Sequence, residues 1–288
     1  MAQNLAATVA AAHRATTPRD TLPGFGPAMG LTLTYLGLIV VLPLIGLAVK
    51  AAGLAPTQWL AILSRPRTLA AFRVSFGLSI AAAAVNAVLG LLLGWVLVRY
   101  RFPGRRVVDA LIDLPFALPT AVAGITLATL YSNTGWLGRM LQPVGVTVSF
   151  TRLGIFVALV FIGLPFVVRA VQPLIVDLDR QAEEAARTLG AGSATIFCRI
   201  VLPALLPGIL TGAALAFARA VGEYGSVIFI AGNMPGVSEI VPLLIVTKLE
   251  QYDYAGAAAI AAVMLAVSFA VLVAINAFER RIGRRYGG

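Results

Sequence analysis

Two charges four residues apart, Arg219 and Glu223 in the run AFARAVGEYGSV, are the first candidates for chemistry in this sequence. A charged side chain at the centre of a bilayer costs about 2.5 to 3.5 kcal/mol on insertion scales, so an ionisable residue in an apolar run is a functional candidate by default. Two readings stand side by side. The spacing allows a mutual ion pair that lowers the cost of both charges and supports packing or gating; alternatively, Arg219 contacts an anion in a transport path. Tyr224 and Ser226 follow directly, and glycines at 222, 225 and 232 let the backbone bend or approach a solute closely. Together Arg219, Glu223, Tyr224 and Ser226 form the candidate path or gate. Asp109 and Asp113 lie one turn apart. They read as acids favoured at a helix start near Arg105 and Arg106, with a contact to a partner subunit as the alternative.

A second candidate is the polar stretch Asp177 to Pro203, DLDRQAEEAARTLGAGSATIFCRIVLP, set in an otherwise membrane-like chain. Ala182, Ala185, Ala186 and Leu189 fall at i, i+3, i+4 and i+7, so a helix here carries one narrow stripe of mostly small apolar side chains. Small side chains let another surface come close. Asp177 or Asp179 can cap this helix, Glu183 and Glu184 sit where the macrodipole favours acids, and Gly190 suits a left-handed end. A second short helix is expected from about Ser193 towards Arg199. The pattern alone fits both a helix lying on a membrane surface and a surface gripped by a partner.

Other chemistry is missing. The two lysines, Lys50 and Lys248, are not preceded by the glycines of a phosphate-binding loop, so ATP cannot be held in that way. Carboxylate pairs, nucleophile settings and triads that would support hydrolysis are lacking. One cysteine, Cys198, and one histidine, His13, exclude a disulfide framework and a zinc cluster built from those residues. Cys198 is expected to be a small buried residue.

The elements that must position these groups are membrane helices. Of 288 residues 59% are hydrophobic and 12% charged, and the mean hydropathy is +0.92, far from a soluble domain. The net charge of +10 comes mostly from arginines scattered in ones and twos, without the aromatic-interleaved patch that binds nucleic acid. Residues 1–28 read as a flexible cytoplasmic tail. A basic start with a sustained apolar core is lacking there, which argues against a cleaved leader; the first span is expected to do the targeting.

Apolar runs of about 20 residues or more mark spans. They are expected at 29–50, 74–98, 107–131, 153–171, 203–221 and 254–277, with a basic tail at 278–288. Residues 50–68 and 132–151 read as loops, with Trp59 at the interface, and 222–252 as irregular. Pro115 and Pro119 lie in the third span and Pro165 in the fourth; Gly208 and Gly212 give the fifth a small face for close packing. With both termini inside, thirteen basic residues fall inside and seven outside, in keeping with the positive-inside rule. That alternation puts Asp177 to Arg199 on the cytoplasmic side.

Read as spacing, Glu184, Ala185, Ala186, three residues, Gly190, nine residues, Ile200, one residue, Leu202 and Pro203 spell EAA-x3-G-x9-I-x-LP. This resembles the cytoplasmic loop signature of permease subunits of bacterial ABC importers. ARAVGEYGSVIFIAGN (Ala218 to Asn233) and SEIVPLLIVTKLEQYDYAGAAAIA (Ser238 to Ala261) are similar to the sulfate/thiosulfate type, and the likeness runs from about Leu31. Molybdate permeases are similar across the fifth span, but KLEQYDYAGA (Lys248 to Ala257) favours sulfate.

The resemblance implies an all-α, polytopic type I permease fold of six transmembrane helices in the bacterial inner membrane. Its transmembrane domain would cover 68–277, with a coupling loop at 177–203. Glu184, Ala185, Ala186, Gly190, Ile200, Leu202 and Pro203 would couple to an ATPase. The implied partners are a second homologous permease, two copies of a cytoplasmic ATP-binding subunit, a periplasmic sulfate-binding protein, sulfate or thiosulfate, and membrane lipid. No cofactor is expected in this chain, ATP and magnesium being held by the ATPase. Alternatives are a molybdate, tungstate or other oxyanion permease and, from other classes, a passive channel or scaffold or a membrane-embedded enzyme.

Overall fold

The computed structural model describes residues 25–286, and among these the secondary structure is helical. The chain divides into two units, Met1–Ala52 and Gly53–Gly288. The expected tail, with His13, Arg14 and Arg19, lies almost wholly outside the described residues.

The first unit holds one apolar helix, α1, Phe25–Ala52. Its 28 residues reach about 42 Å at 1.5 Å each, enough to cross a hydrocarbon core of about 30 Å. One turn, Gly37–Val41, widens to π geometry, with the Leu42 N–H donating to the Gly37 carbonyl. Pro43 follows at once; a proline ring crowds the preceding turn and removes a donor, and a local π turn absorbs both.

The second unit begins with a short helix, α2 (Pro56–Leu63), whose Ala55 N–H is capped by Gln58 Oε1 at 3.0 Å. Its centre is three long helices: α3 (Pro66–Arg99), α8 (Arg152–Asp177) and α10 (Ser193–Val221). Glycines set how closely they meet. A Cβ on Gly90 or Gly94 of α3 would lie 2.6 Å or 2.7 Å from Val167 or Val171 of α8, and a Cβ on Gly212 of α10 would lie 2.7 Å from the Val167 Cα. The small face expected at Gly208 and Gly212 therefore packs on α8. Val167, Val171, Ile155 and Leu205 are fully buried in this seam.

The expected third span is not one helix. It runs as α4 (Arg105–Ile112), α5 (Leu114–Ala117) and α6 (Thr120–Leu130). Leu118 is extended (φ −83°, ψ 133°), as a residue before proline tends to be, so Pro119 ends the helix and a new one starts after it. Pro165 and Pro173, by contrast, sit inside an unbroken α8. The expected loop 132–151 contains α7 (Trp136–Leu141), and the segment read as irregular contains α11 (Val227–Ile230) and the ten-residue α12 (Val241–Glu250). The last helix, α13 (Tyr254–Tyr286), continues through the segment expected as a basic tail. Among the described residues five helices are long and apolar enough to cross a membrane, and α6 is a shorter apolar one.

The helix expected from Ser193 does begin there but is not short: α10 is continuous from Ser193 to Val221, through a π turn at Phe197–Val201. This turn repeats the local chemistry of α1. Val201-Leu202-Pro203 matches Val41-Leu42-Pro43, and the Leu202 N–H again reaches back five residues, to Phe197. Widening, not breakage, answers the proline in both helices.

Candidate functional site

Between α8 and α10 the chain forms α9, Arg180–Thr188. Asp179 caps it, its Oδ1 accepting from the Gln181 N–H at 2.8 Å. Gly190 is left-handed (φ +83°), the Ala191 N–H donates to the Ala186 carbonyl at 3.0 Å, and the Gly190 N–H to Arg187 at 2.9 Å. The capping and ending read from the sequence are both present, with Asp179 rather than Asp177 as the cap.

The helix has two unlike faces. Ala182, Glu184, Ala185 and Leu189 are exposed, Leu189 at 88%, so most of the small apolar stripe faces away from the protein. Ala186 is half-buried against the cluster of Ile196, Val201 and Leu205. Glu183 is buried, with 9% of its surface exposed, and pairs with Arg99, the last residue of α3. The signature is thus divided: Glu184, Ala185 and Gly190 lie outside, whereas Ile200, Leu202 and Pro203 are half-buried in the first turns of α10. Cys198 is exposed, contrary to the expectation of a buried thiol: within the π turn it and Arg199 face outward, while Val201 is the buried residue.

Arg219 and Glu223 do form the i, i+4 ion pair. Glu223 is almost fully buried, and its Oε1 also accepts from the Ser226 N–H at 2.9 Å and from Ser226 Oγ at 3.0 Å. Both carboxylate oxygens are therefore engaged, which offsets the cost of burying the charge. The Arg219 side chain keeps 35% exposure. Tyr224 is half-buried against the cluster around Ile155 and Val227. One short segment, Arg219 to Ser226, thus brings all four predicted residues together at the end of α10.

Other charge pairs were not foreseen. Arg169 of α8 donates through Nε to Asp113 at 2.8 Å and through Nη1 to Asp109 at 2.8 Å and to Gln172 at 2.6 Å. Asp109 and Asp113 are thus partners of Arg169 across the helices; their position beside Arg105 and Arg106 alone does not explain them. The available signal was Arg169 itself, a lone charge in an apolar run. Arg67 at the start of α3 grips Glu239 with Nε (2.8 Å) and Nη2 (2.6 Å). Lys248 donates to Asp253 at 2.8 Å and, with the Gly256 N–H, holds that carboxyl below its ordinary range.

Sequence and structure comparisons place this arrangement among known proteins. Residues 86–284 match the family described as binding-protein-dependent transport system inner membrane component. The chain is 52% identical over 256 residues to the sulfate transport system permease protein CysT of Synechocystis, covering 89% of each. It is 46% identical over 274 residues to the CysT of Escherichia coli, covering 95% of this chain and 99% of that one. In fold it is similar to a chain of a bacterial ABC transporter that imports alginate, with TM-score 0.73 at 19% identity over 88% of this chain and 94% of that one. A chain of the inward-facing MetNI methionine ABC transporter gives TM-score 0.54 at 18% identity over 76% and 98%. A multi-pass helical chain with a capped polar helix between two long spans, matched along 86–284, belongs to the family of inner membrane components of binding-protein-dependent transport systems.

Proposed function

We propose that the chain is the permease subunit of an ATP-driven importer of sulfate and thiosulfate. One observation carries the coupling part of this reading: α9 is anchored on its inner side by Glu183 and presents Glu184, Ala185 and Leu189 outward. An exposed stripe of small side chains beside a rigidly ended turn suits insertion into a cleft of another protein. Glu184, Ala185, Ala186 and Gly190 form the docking core; Ile200, Leu202 and Pro203 act from inside, by holding the start of α10 against α8. The anion follows from the name shared by the relatives at 46% and 52% identity.

The partners in this reading are a second, similar permease, two ATP-binding subunits that hold ATP and magnesium, and a periplasmic sulfate-binding protein. Both termini and α9 face the cytoplasm. ATP binding closes the nucleotide subunits, α9 moves with them, and the permease pair shifts from inward-open to outward-open. This chain transmits force and makes or breaks no bonds. Arg219, Glu223, Tyr224 and Ser226 belong to the path or its gate, and selectivity rests mainly with the binding protein. The test is uptake of radiolabelled sulfate by cells carrying the complete complex, in competition with thiosulfate, molybdate and tungstate. Competition by thiosulfate alone supports the assignment; preferential competition by molybdate or tungstate replaces the anion but keeps the importer.

A further inference from the structure

Resting on that reading, we propose that Arg99 is a positioning residue for transport: it clamps α9 to α3 and α10, so that a displacement of α9 reaches the membrane helices. The covalent links cannot do this stiffly. Before α9 the chain is extended at Leu178 (φ −60°, ψ 125°); after it Gly190 is left-handed and Gly192 is extended (φ −70°, ψ 157°). Motion of α9 must pass through side chains.

Arg99 and its helix neighbour Trp95 together join three elements. Arg99 ends the 34-residue α3 and pairs with Glu183 on the inner face of α9, with 12% and 11% of the two side chains exposed. One turn back, the Trp95 ring lies under the guanidinium at 4.8 Å. Trp95 in turn meets the edge of Phe197 at 6.1 Å and 88°, and Phe197 opens the π turn of α10. Apolar side chains of similar volume would serve stability at least as well as a buried ion pair; what the pair adds is one fixed register. The Arg99 Nε is buried without an acceptor, and among the described residues Glu183 is the acid that pairs with this charge. Glu184, next in sequence, is exposed and left for the partner. Neighbouring acids thus have separate tasks, one inward and one outward.

The experiment reconstitutes the whole complex in vesicles with wild type, Arg99→Gln, Glu183→Gln, the double variant and Arg99→Lys, and measures sulfate imported per ATP hydrolysed. Each Gln variant is expected to retain its ATPase subunits and hydrolyse ATP, while sulfate per ATP falls about tenfold. The double variant should be no worse than either single one, because both remove the same link. Arg99→Lys, which keeps the charge, should recover at least part of the ratio. A wild-type ratio in Arg99→Gln, multiplying losses in the double variant, or release of the ATPase from the complex would each overturn the clamp. Failure of the wild-type complex to import sulfate with ATP would instead overturn the proposed function.

Discussion

Replacing Gly190 by valine isolates the backbone at the end of α9. A Cβ at this position meets nothing within 4 Å, so within the chain the substitution acts only through φ +83°. A residue with a side chain pays about 1 to 2 kcal/mol in the left-handed region, and a β-branched one stands at the upper end or beyond. Taking about 2 kcal/mol, the ratio of loops ended as observed to loops that are not falls roughly 30-fold. The N–H bonds of Gly190 and Ala191 to Arg187 and Ala186 go with it, and the exposed stripe loses its shape. Asparagine tolerates the same φ, so Gly190→Asn should keep most of it. The assay is sulfate uptake with the membrane content of the permease measured in parallel. Gly190→Val should abolish uptake with the subunits still inserted, and Gly190→Asn should retain most of it. Normal uptake by the valine variant, or equal loss in both, would refute the backbone argument.

Further outcomes follow from packing and charge. A Cβ at Gly212 meets the Val167 backbone at 2.7 Å, whereas at Gly208 the nearest atom is the flexible Leu174 Cδ1 at 2.4 Å. Gly212→Ala should therefore cost about 1 to 3 kcal/mol by overpacking and Gly208→Ala much less, read as melting temperatures in detergent. Arg219→Ala strands the buried Glu223 carboxylate at a cost of about 3 kcal/mol and lowers the melting temperature, and adding Glu223→Gln should recover part of the loss. A double variant no more stable than Arg219→Ala would deny the ion pair a stabilising role. Asp253 is depressed in the folded chain by Lys248, so its contribution is present above an unfolded value of about 3.9 and fades as pH falls below it. Asp253→Asn should flatten the acid limb of a stability profile below about pH 4, and between about pH 5 and 7 it should lower stability by a constant amount without changing its pH dependence. The effect is small, since the side chain is 38% exposed.

Local features of the chain were legible because local rules produce them. The Asp179 cap, the left-handed Gly190, the small face at Gly208 and Gly212 and the Arg219–Glu223 pair each depend on neighbours within a few turns or on one residue type. Distant partners were not legible. Arg169 meets acids 56 and 60 residues away, and Arg99 meets Glu183 across 84, distances over which periodicity carries no information. The choice between Glu183 and Glu184 as the buried acid depends on the rotation of α9, set by where Ala186 packs. Prolines were the other difficulty. Pro119 ends a helix, Pro165 lies inside one, and Pro43 and Pro203 each follow a π turn, so residue type alone did not give the outcome.

The central claim is that an ATPase outside this chain drives sulfate through it by way of the exposed face of α9. Its most direct test is accumulation of labelled sulfate in vesicles holding the full complex and binding protein, with and without ATP, for wild type and Glu184→Lys. The account predicts accumulation above the external concentration only with ATP, and loss of it in Glu184→Lys although the complex remains inserted. Equilibration of sulfate without ATP, or undiminished accumulation in Glu184→Lys, would contradict it.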